Sequence, residues 1–173
     1  VKPGHDGSSI GVTKLDRDAL SLHSLRAALN AAAERDAAEV LVEEYIHGRE
    51  FTVAILDGKA LPVIEICAPE GSYDFQNKYY TDVVRYECPA KLPEASAKAL
   101  AAACEKAFAV LGCRGWSRVD ALERADGTFA LLEINTSPGM TPHSLVPMAA
   151  RAVGLSYADL RLRVLGLART DIA

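Results

Sequence analysis

Two Asp-Gly pairs, Asp57-Gly58 and Asp126-Gly127, each stand between runs rich in β-branched and aromatic residues. Such a pair favours the tight turn that joins antiparallel strands, because both residues tolerate the left-handed backbone these turns require. The pattern predicts strands over 51–56 and 61–67 about the first pair, and over 115–123 and 128–135 about the second. Pro62 falls near the start of its strand, where a missing N–H is tolerated. Hairpins mixed with helical stretches predict an α+β fold, an antiparallel sheet with packed helices.

The rest of the chain fills in around these hairpins. Residues 4–11 are Gly/Ser-rich and read as a loop, followed by a short strand over 10–15. Asp16 or Asp18 caps a helix with Leu22, Leu25, Leu29 and Ala32 at helical spacing, ending near Asp36. Val40-Leu41-Val42 reads as a buried strand that runs into Glu43-Glu44-Tyr45-Ile46. Residues 69–81 form a long polar and aromatic loop, and 83–88 a further short strand. A helix after Pro93 carries Ala97, Leu100, Cys104, Phe108 and Leu111 on one face, with Gly112 as its left-handed cap. Helices over 144–153 and 156–168 flank Gly154.

With 173 residues, half of them apolar and 24% charged, the chain can bury a sizeable core and is not a disordered one. Its net charge of −4 supplies no general attraction to nucleic acid or to an anionic membrane. No apolar run approaches the roughly 18 residues of a membrane span. Cys67, Cys88, Cys104 and Cys113 form no C-x-x-C pair, so free thiols in a reducing cytoplasm are expected rather than a zinc site. The first residue is Val1, and a loop follows almost at once. That start reads as a fragment, or a processed chain, cut inside a strand.

The second hairpin carries the chemistry. With Asp126-Gly127 as the two central residues, Asp120 lies directly opposite Glu133, and Arg118 opposite Asn135. Alternation along the strands puts all four on one face, together with Phe129 and Leu131. Two opposed carboxylates repel, and a hard cation between them reverses the sign. Mg²⁺ suits two carboxylates and an Asn carbonyl, usually beside phosphate oxygens. The alternative is a solvent-facing hairpin in which Arg118 neutralises both acids.

Other segments carry weaker signals. Lys2 with Gly4, Gly7, Ser8, Ser9 and Gly11 can cradle phosphate through backbone N–H groups, or can be a flexible connector. Lys78 can hold a phosphate and Tyr79 a substrate, or both can be surface groups. Glu43 and Glu50 flank Gly48 and suit the hydroxyls and amines of a nucleotide, or are merely solvated. Ser144 stands where a helix begins, as an N-cap or at the edge of a carboxylate site.

In their order these segments resemble one family. Val1-Lys2-Pro3 leads to Gly7-Ser8-Ser9-Ile10-Gly11, then Glu43-Glu44-Tyr45-Ile46 to Glu50-Phe51-Thr52-Val53, then Lys78-Tyr79. Gly115-Trp116-Ser117-Arg118-Val119-Asp120, Leu132-Glu133-Ile134-Asn135-Thr136-Ser137-Pro138-Gly139 and His143-Ser144-Leu145 complete the set. The chain closely resembles the D-alanine–D-alanine ligases, ATP-grasp enzymes, over nearly its whole length.

The resemblance implies ATP-dependent joining of two D-alanines through an acyl phosphate, for a peptidoglycan precursor. It implies Asp120, Glu133 and Asn135 as ligands of two Mg²⁺ ions, for which Mn²⁺ can stand in. Lys2 and Lys78 would hold ATP phosphates, with Ser9 and its loop closing over them. Glu43, Glu44 and Ile46 would frame the adenine, Tyr45 would pack nearby, and Glu50 would meet the ribose. Arg118 and the Gly139 backbone would stabilise the oxyanion, while Ser8 and Tyr79 organise the first substrate. Ser144 and Leu145 would receive the carboxylate of the second D-alanine. Residues 1–46 would belong to the central ATP-grasp subdomain and 47–173 to the C-terminal one. A cytoplasmic enzyme is implied, a homodimer when complete, with no nucleic-acid or membrane partner. Complete relatives carry further N-terminal parts that supply substrate and nucleotide contacts, so little ligase activity is expected of this chain alone. A D-alanine–D-lactate enzyme, another ATP-grasp carboxylate–amine ligase or a non-catalytic nucleotide-binding fragment are the alternatives; Lys78-Tyr79 favours D-alanine.

Overall fold

The computed structural model describes residues 1–5, 10–35, 39–68 and 84–168. Ser8, Ser9, Lys78 and Tyr79 lie outside the described residues. The chain divides into two compact units, one of Val1–Ile46 with Ala68–Val84 and one of His47–Cys67 with Arg85–Ala173.

In the first unit, β1 (Lys2–Pro3) pairs antiparallel with β2 (Val40–Leu41), Lys2 opposite Leu41. The helix α1 (Leu22–Arg35) packs on both strands and buries Ala28 and Ala32. Leu22, expected on the buried face, is the first residue of α1 and is 88% exposed, while Leu25 and Leu29 are half-buried on that face. Asp16 heads a separate 3-10 turn, Arg17–Ala19, and Ser21 instead accepts a hydrogen bond from the Ser24 amide (3.0 Å) as α1 begins. Residues 10–15 form no strand: Gly11 takes φ +76° beside Pro3, and the contact back to Val1 is a single exchange at Thr13, whose amide donates to the Val1 carbonyl and whose carbonyl accepts from the Val1 amino group. Val42, expected buried, is 62% exposed because β2 ends one residue before it.

In the second unit a six-stranded antiparallel sheet has the order β6 (Arg85–Glu87), β5 (Ile64–Cys67), β3 (Glu50–Leu56), β7 (Trp116–Glu123), β8 (Phe129–Asn135), with β4 (Lys59–Ala60) also paired to β3. The central strand β3 is apolar because both its faces are covered. On one face α2 (Glu94–Val110) sets Leu100, Cys104 and Phe108 against Phe51, Val53, Val119 and Ala121. On the other, α3 (Leu145–Ala152) and α4 (Tyr157–Gly166) set Val146, Ala149, Ala150 and Leu160 against Ala54, Leu56 and Ile64. Each large side chain fully removed from water contributes roughly 1.5–3 kcal/mol. The helix α2 stops where expected: Gly112 (φ +66°) turns left-handed, and the Cys113 amide reaches the Phe108 carbonyl at 3.0 Å. All four cysteines are free thiols.

The two Asp-Gly pairs behave differently. Asp57 (φ 51°) and Gly58 (φ 73°) are both left-handed, and Leu56 pairs with Lys59 around them, a two-residue turn. The return strand then breaks after β4 and resumes at Ile64, beyond Pro62, which has no N–H to donate. At the second pair, Asp126 keeps a negative φ, because its carboxylate accepts from the Thr128 amide (2.9 Å) and hydroxyl (2.7 Å). The turn is therefore Ala125-Asp126-Gly127, closed by the Arg124 amide on the Thr128 carbonyl. Glu123 pairs with Phe129 and Ala121 with Leu131, one step off the expected register. A β-bulge between Asp120 and Ala121 then inserts Leu132 as an extra residue and restores it. The slip and the bulge cancel, so Asp120 opposes Glu133 and Arg118 opposes Asn135. Between the two, parity is reversed. Phe129 and Leu131, expected beside Glu133, lie on the opposite face, where Phe129 meets Phe51 edge-on at 5.7 Å.

Candidate functional site

The register of β3, β7 and β8 gathers six polar side chains on one face of the sheet. Glu50 and Thr52 come from β3, Arg118 and Asp120 from β7, Glu133 and Asn135 from β8. The same face is apolar towards Leu56 and Trp116, where α3 and α4 cover it. The polar group thus begins where the helices stop.

Asp120 is its centre and is 6% exposed. Its Oδ1 accepts from the Thr52 hydroxyl at 2.6 Å and from Arg118 Nε at 2.9 Å. Its Oδ2 accepts from the second Arg118 nitrogen at 2.7 Å and from Asn135 Nδ2 at 3.4 Å. The same Asn135 nitrogen donates to Glu133 Oε1 at 3.1 Å. The two carboxylates therefore converge on one small donor, a geometry that repulsion would open were the donor removed. Glu133 is exposed, so one side of the group stays open to solvent.

No cluster of three or more His, Cys, Asp or Glu side chains forms among the described residues. The donor set is two carboxylates and one amide, all hard oxygen donors once the Asn135 amide turns its Oδ1 inward. That set fits a hard divalent cation with remaining positions left for water or phosphate. In the arrangement seen, Arg118 and the Asn135 amide supply the compensating positive ends. Beneath the sheet, burial together with the Asp120 charge pushes the Cys104 thiol up to about 12, so it is no nucleophile.

After β8 the chain runs through 136–144, which carries Gly139, into α3. Three contacts hold this loop. The Tyr157 hydroxyl donates to the Met140 carbonyl at 2.5 Å, and Arg151 donates to the Pro142 carbonyl at 2.7 Å. Ser144 stands at the N-cap position of α3, but its hydroxyl caps nothing in the helix. It accepts instead from the Thr141 amide at 3.0 Å and pairs with the Thr141 hydroxyl at 2.9 Å. The first amides of α3, at Leu145 and Val146, are left without that side chain as an acceptor. A Cβ on Gly139 would lie 3.0 Å from the Ser144 hydroxyl oxygen, so Gly139 passes close over this turn.

The first unit gathers a separate set. Lys2 Nζ and Glu43 form an ion pair at 2.7 Å, and Lys14 Nζ lies 4.3 Å from the centre of the Tyr45 ring. A hollow of about 250 Å³ is lined among others by Lys2, Lys14, Leu25, Glu43, Glu44 and Tyr45. The half-buried Ile46 follows in sequence.

Two residues to which the sequence assigned no role stand out, Thr52 and Tyr157. Thr52 was detectable in principle: Glu50 and Thr52 are polar at alternate positions of an otherwise apolar strand. Tyr157 carried no such signal, because its contact to Met140 joins segments whose proximity depends on helix packing.

The D-ala D-ala ligase C-terminus family matches residues 1–166. The chain is 51% identical to the D-alanine–D-alanine ligase of Cupriavidus metallidurans, over 99% of this chain and 52% of that protein. It is 52% identical to that of Bordetella pertussis, over 99% and 54%. Among solved structures it is similar to a D-Ala:D-Ser ligase of Enterococcus faecalis (TM-score 0.79, 34% identity, 96% of this chain and 48% of that one). It is also similar to the D-alanine–D-alanine ligase of Bacillus anthracis in complex with ATP (TM-score 0.72, 32% identity, 85% and 46%). The chain spans about half the length of the curated relatives it matches.

Proposed function

Because the chain belongs to the D-ala D-ala ligase C-terminus family, we propose that it forms the nucleotide- and metal-handling part of an enzyme that joins two D-alanines at the expense of ATP. The reaction transfers the γ-phosphoryl group of ATP to the carboxylate of the first D-alanine and releases ADP. The amine of the second then attacks the acyl carbon, and phosphate leaves. The physical difficulty is that a carboxylate must approach a polyphosphate.

The observation that carries this reading is the opposition of Asp120 and Glu133, with both carboxylates meeting Asn135 Nδ2. Asp120, Glu133 and Asn135 would hold two Mg²⁺ ions, or Mn²⁺ in their place. When bound, these would supply positive charge that offsets the negative charge on the transferring phosphoryl group. Arg118, freed from Asp120, would face the developing oxyanion together with the Gly139 amide. The Leu145 amide and Ser144 would meet the carboxylate of the second D-alanine at the start of α3. Lys2, Glu43, Glu44, Tyr45, Ile46 and Glu50 would bind the nucleotide, joined by Ser9 and Lys78. Ser8 and Tyr79 would order the first substrate, and Tyr79 favours D-alanine as the second.

In the same reading, Val1–Ile46 belongs to the central ATP-grasp subdomain and the remainder to the C-terminal one. The complete enzyme is a cytoplasmic homodimer serving peptidoglycan synthesis, without nucleic-acid or membrane partners. Among the described residues, no helix is long and apolar enough to cross a membrane.

The test is phosphate release from ATP, dependent on D-alanine, by the gene product that carries this chain. Glu133→Gln keeps the shape and loses the charge. It is expected to lower kcat by on the order of 100-fold or more. Activity at the unsubstituted level in Glu133→Gln would refute the assignment, and D-lactate outcompeting D-alanine would correct the substrate.

A further inference from the structure

We propose that Thr52 is a positioning residue for the cation site: its hydroxyl fixes the Asp120 carboxylate so that Oδ2 faces Glu133. The inference rests on the metal reading above and adds a residue to it.

Thr52 lies directly opposite Asp120 across the β3–β7 pair and is 1% exposed. Its hydroxyl has one proton and two acceptors within reach, Asp120 Oδ1 at 2.6 Å and the Val119 carbonyl at 3.3 Å. The shorter contact has the length of a charge-assisted O–H···O⁻ bond, roughly twice as strong as a neutral one. The division of donors is the telling feature. Oδ1 is held by Thr52 and Arg118 Nε, whereas Oδ2 is met by Arg118 and Asn135, the two groups that would have to turn for a cation to enter. Asn135 Nδ2 touches both Asp120 Oδ2 and Glu133 Oε1, so Oδ2 is the end that faces the second carboxylate. When Arg118 turns to substrate, Thr52 alone of these donors still holds Oδ1. It is anchored in the middle of the central strand, where the backbone cannot yield. Partners of this kind commonly set metal affinity by orienting the ligand rather than by touching the metal.

The experiment titrates Mn²⁺ into the gene product carrying this chain, with ADP saturating, and reads free Mn²⁺ by its EPR signal. Thr52→Val keeps the shape and removes the proton, and is expected to weaken Mn²⁺ binding roughly 10–100-fold. Thr52→Ser restores the hydroxyl and is expected to bind within a few-fold of the unsubstituted protein. Should the valine form fail to fold, Thr52→Ala carries the same expectation. Unchanged affinity in Thr52→Val, or equal loss in Thr52→Ser and Thr52→Val, overturns the role of Thr52 alone. Unchanged affinity in Glu133→Gln as well overturns the metal reading beneath it.

Discussion

Gly48 shows how tightly one residue can be bound by a distant part of the chain. A Cβ built there would stand 1.7 Å from the Glu123 carbonyl oxygen, which belongs to the backbone and has nowhere to go. The Glu123 amide in turn donates to the Arg49 carbonyl at 2.9 Å. Gly48→Ala must therefore push the start of β3 away from the end of β7. A loss of about 1–3 kcal/mol is expected, read as a lower urea midpoint with little change in slope. From the sequence, Gly48 was legible as a turn between two apolar runs. The reason it must be glycine was not, since Glu123 lies far along the chain. Asp120, Glu133 and Asn135 were legible because their opposition follows from one hairpin. Thr52 was less so, because its partner becomes a neighbour only when β3 and β7 pair across α2.

At the scale of elements, local signals were dependable. The strand before the first Asp-Gly pair, both strands about the second, α2 with its Gly112 stop, and the two helices parted by Gly154 form where turn residues and periodicity put them, whereas the strand expected over 61–67 begins only at Ile64. The misses have local causes too. Leu22 opens α1 in water instead of on its buried face, and the Ser144 hydroxyl prefers Thr141 to its own helix. The helix α4 does more than cover the sheet, because Tyr157 holds the Met140 carbonyl. Tyr157→Phe deletes that bond and leaves the ring in place. Faster hydrogen exchange at amides 139–141 is expected, with exchange in β3 and β7 unchanged. Equal exchange throughout would show that Arg151 and Ser144 hold the loop unaided.

For the molecule as a whole, the strand order β6-β5-β3-β7-β8 could not be counted from the sequence. It depends on which apolar faces α2 and α3 cover, and that is settled by packing rather than by turns. One polar network spans this non-local arrangement. Arg49 grips Glu65 of β5 through two bonds (2.8 and 2.6 Å) and reaches Glu123 of β7 at 3.5 Å, across the start of β3. The Arg49 hydrogen bond holds the Glu65 carboxyl below its usual range, against the opposing effect of burial. A carboxyl with a lowered folded-state pKa contributes stability above its ordinary pKa, near 4.5, and loses it as pH falls through the lowered value. Arg49→Gln is expected to be destabilised at pH 7. The gap to the unsubstituted protein should shrink below pH 4, as seen in paired urea titrations. A gap that stays constant with pH would mean that packing on Phe51, 4.9 Å away, is what Arg49 provides.

Two different ribbons can bring the same acids together at the same separation along the chain: a longer turn with one bulged residue, as at the β7–β8 hairpin, or a two-residue turn with none. What separates them is the fate of Phe129 and Leu131, which the bulged ribbon hands to the core and the plain one would leave beside the acids. Were Leu132 drawn into the ladder with the longer turn kept, Asp120 and Glu133 would stand back to back on opposite sides. A gap counted between two carboxylates therefore does not say which ribbon carries them.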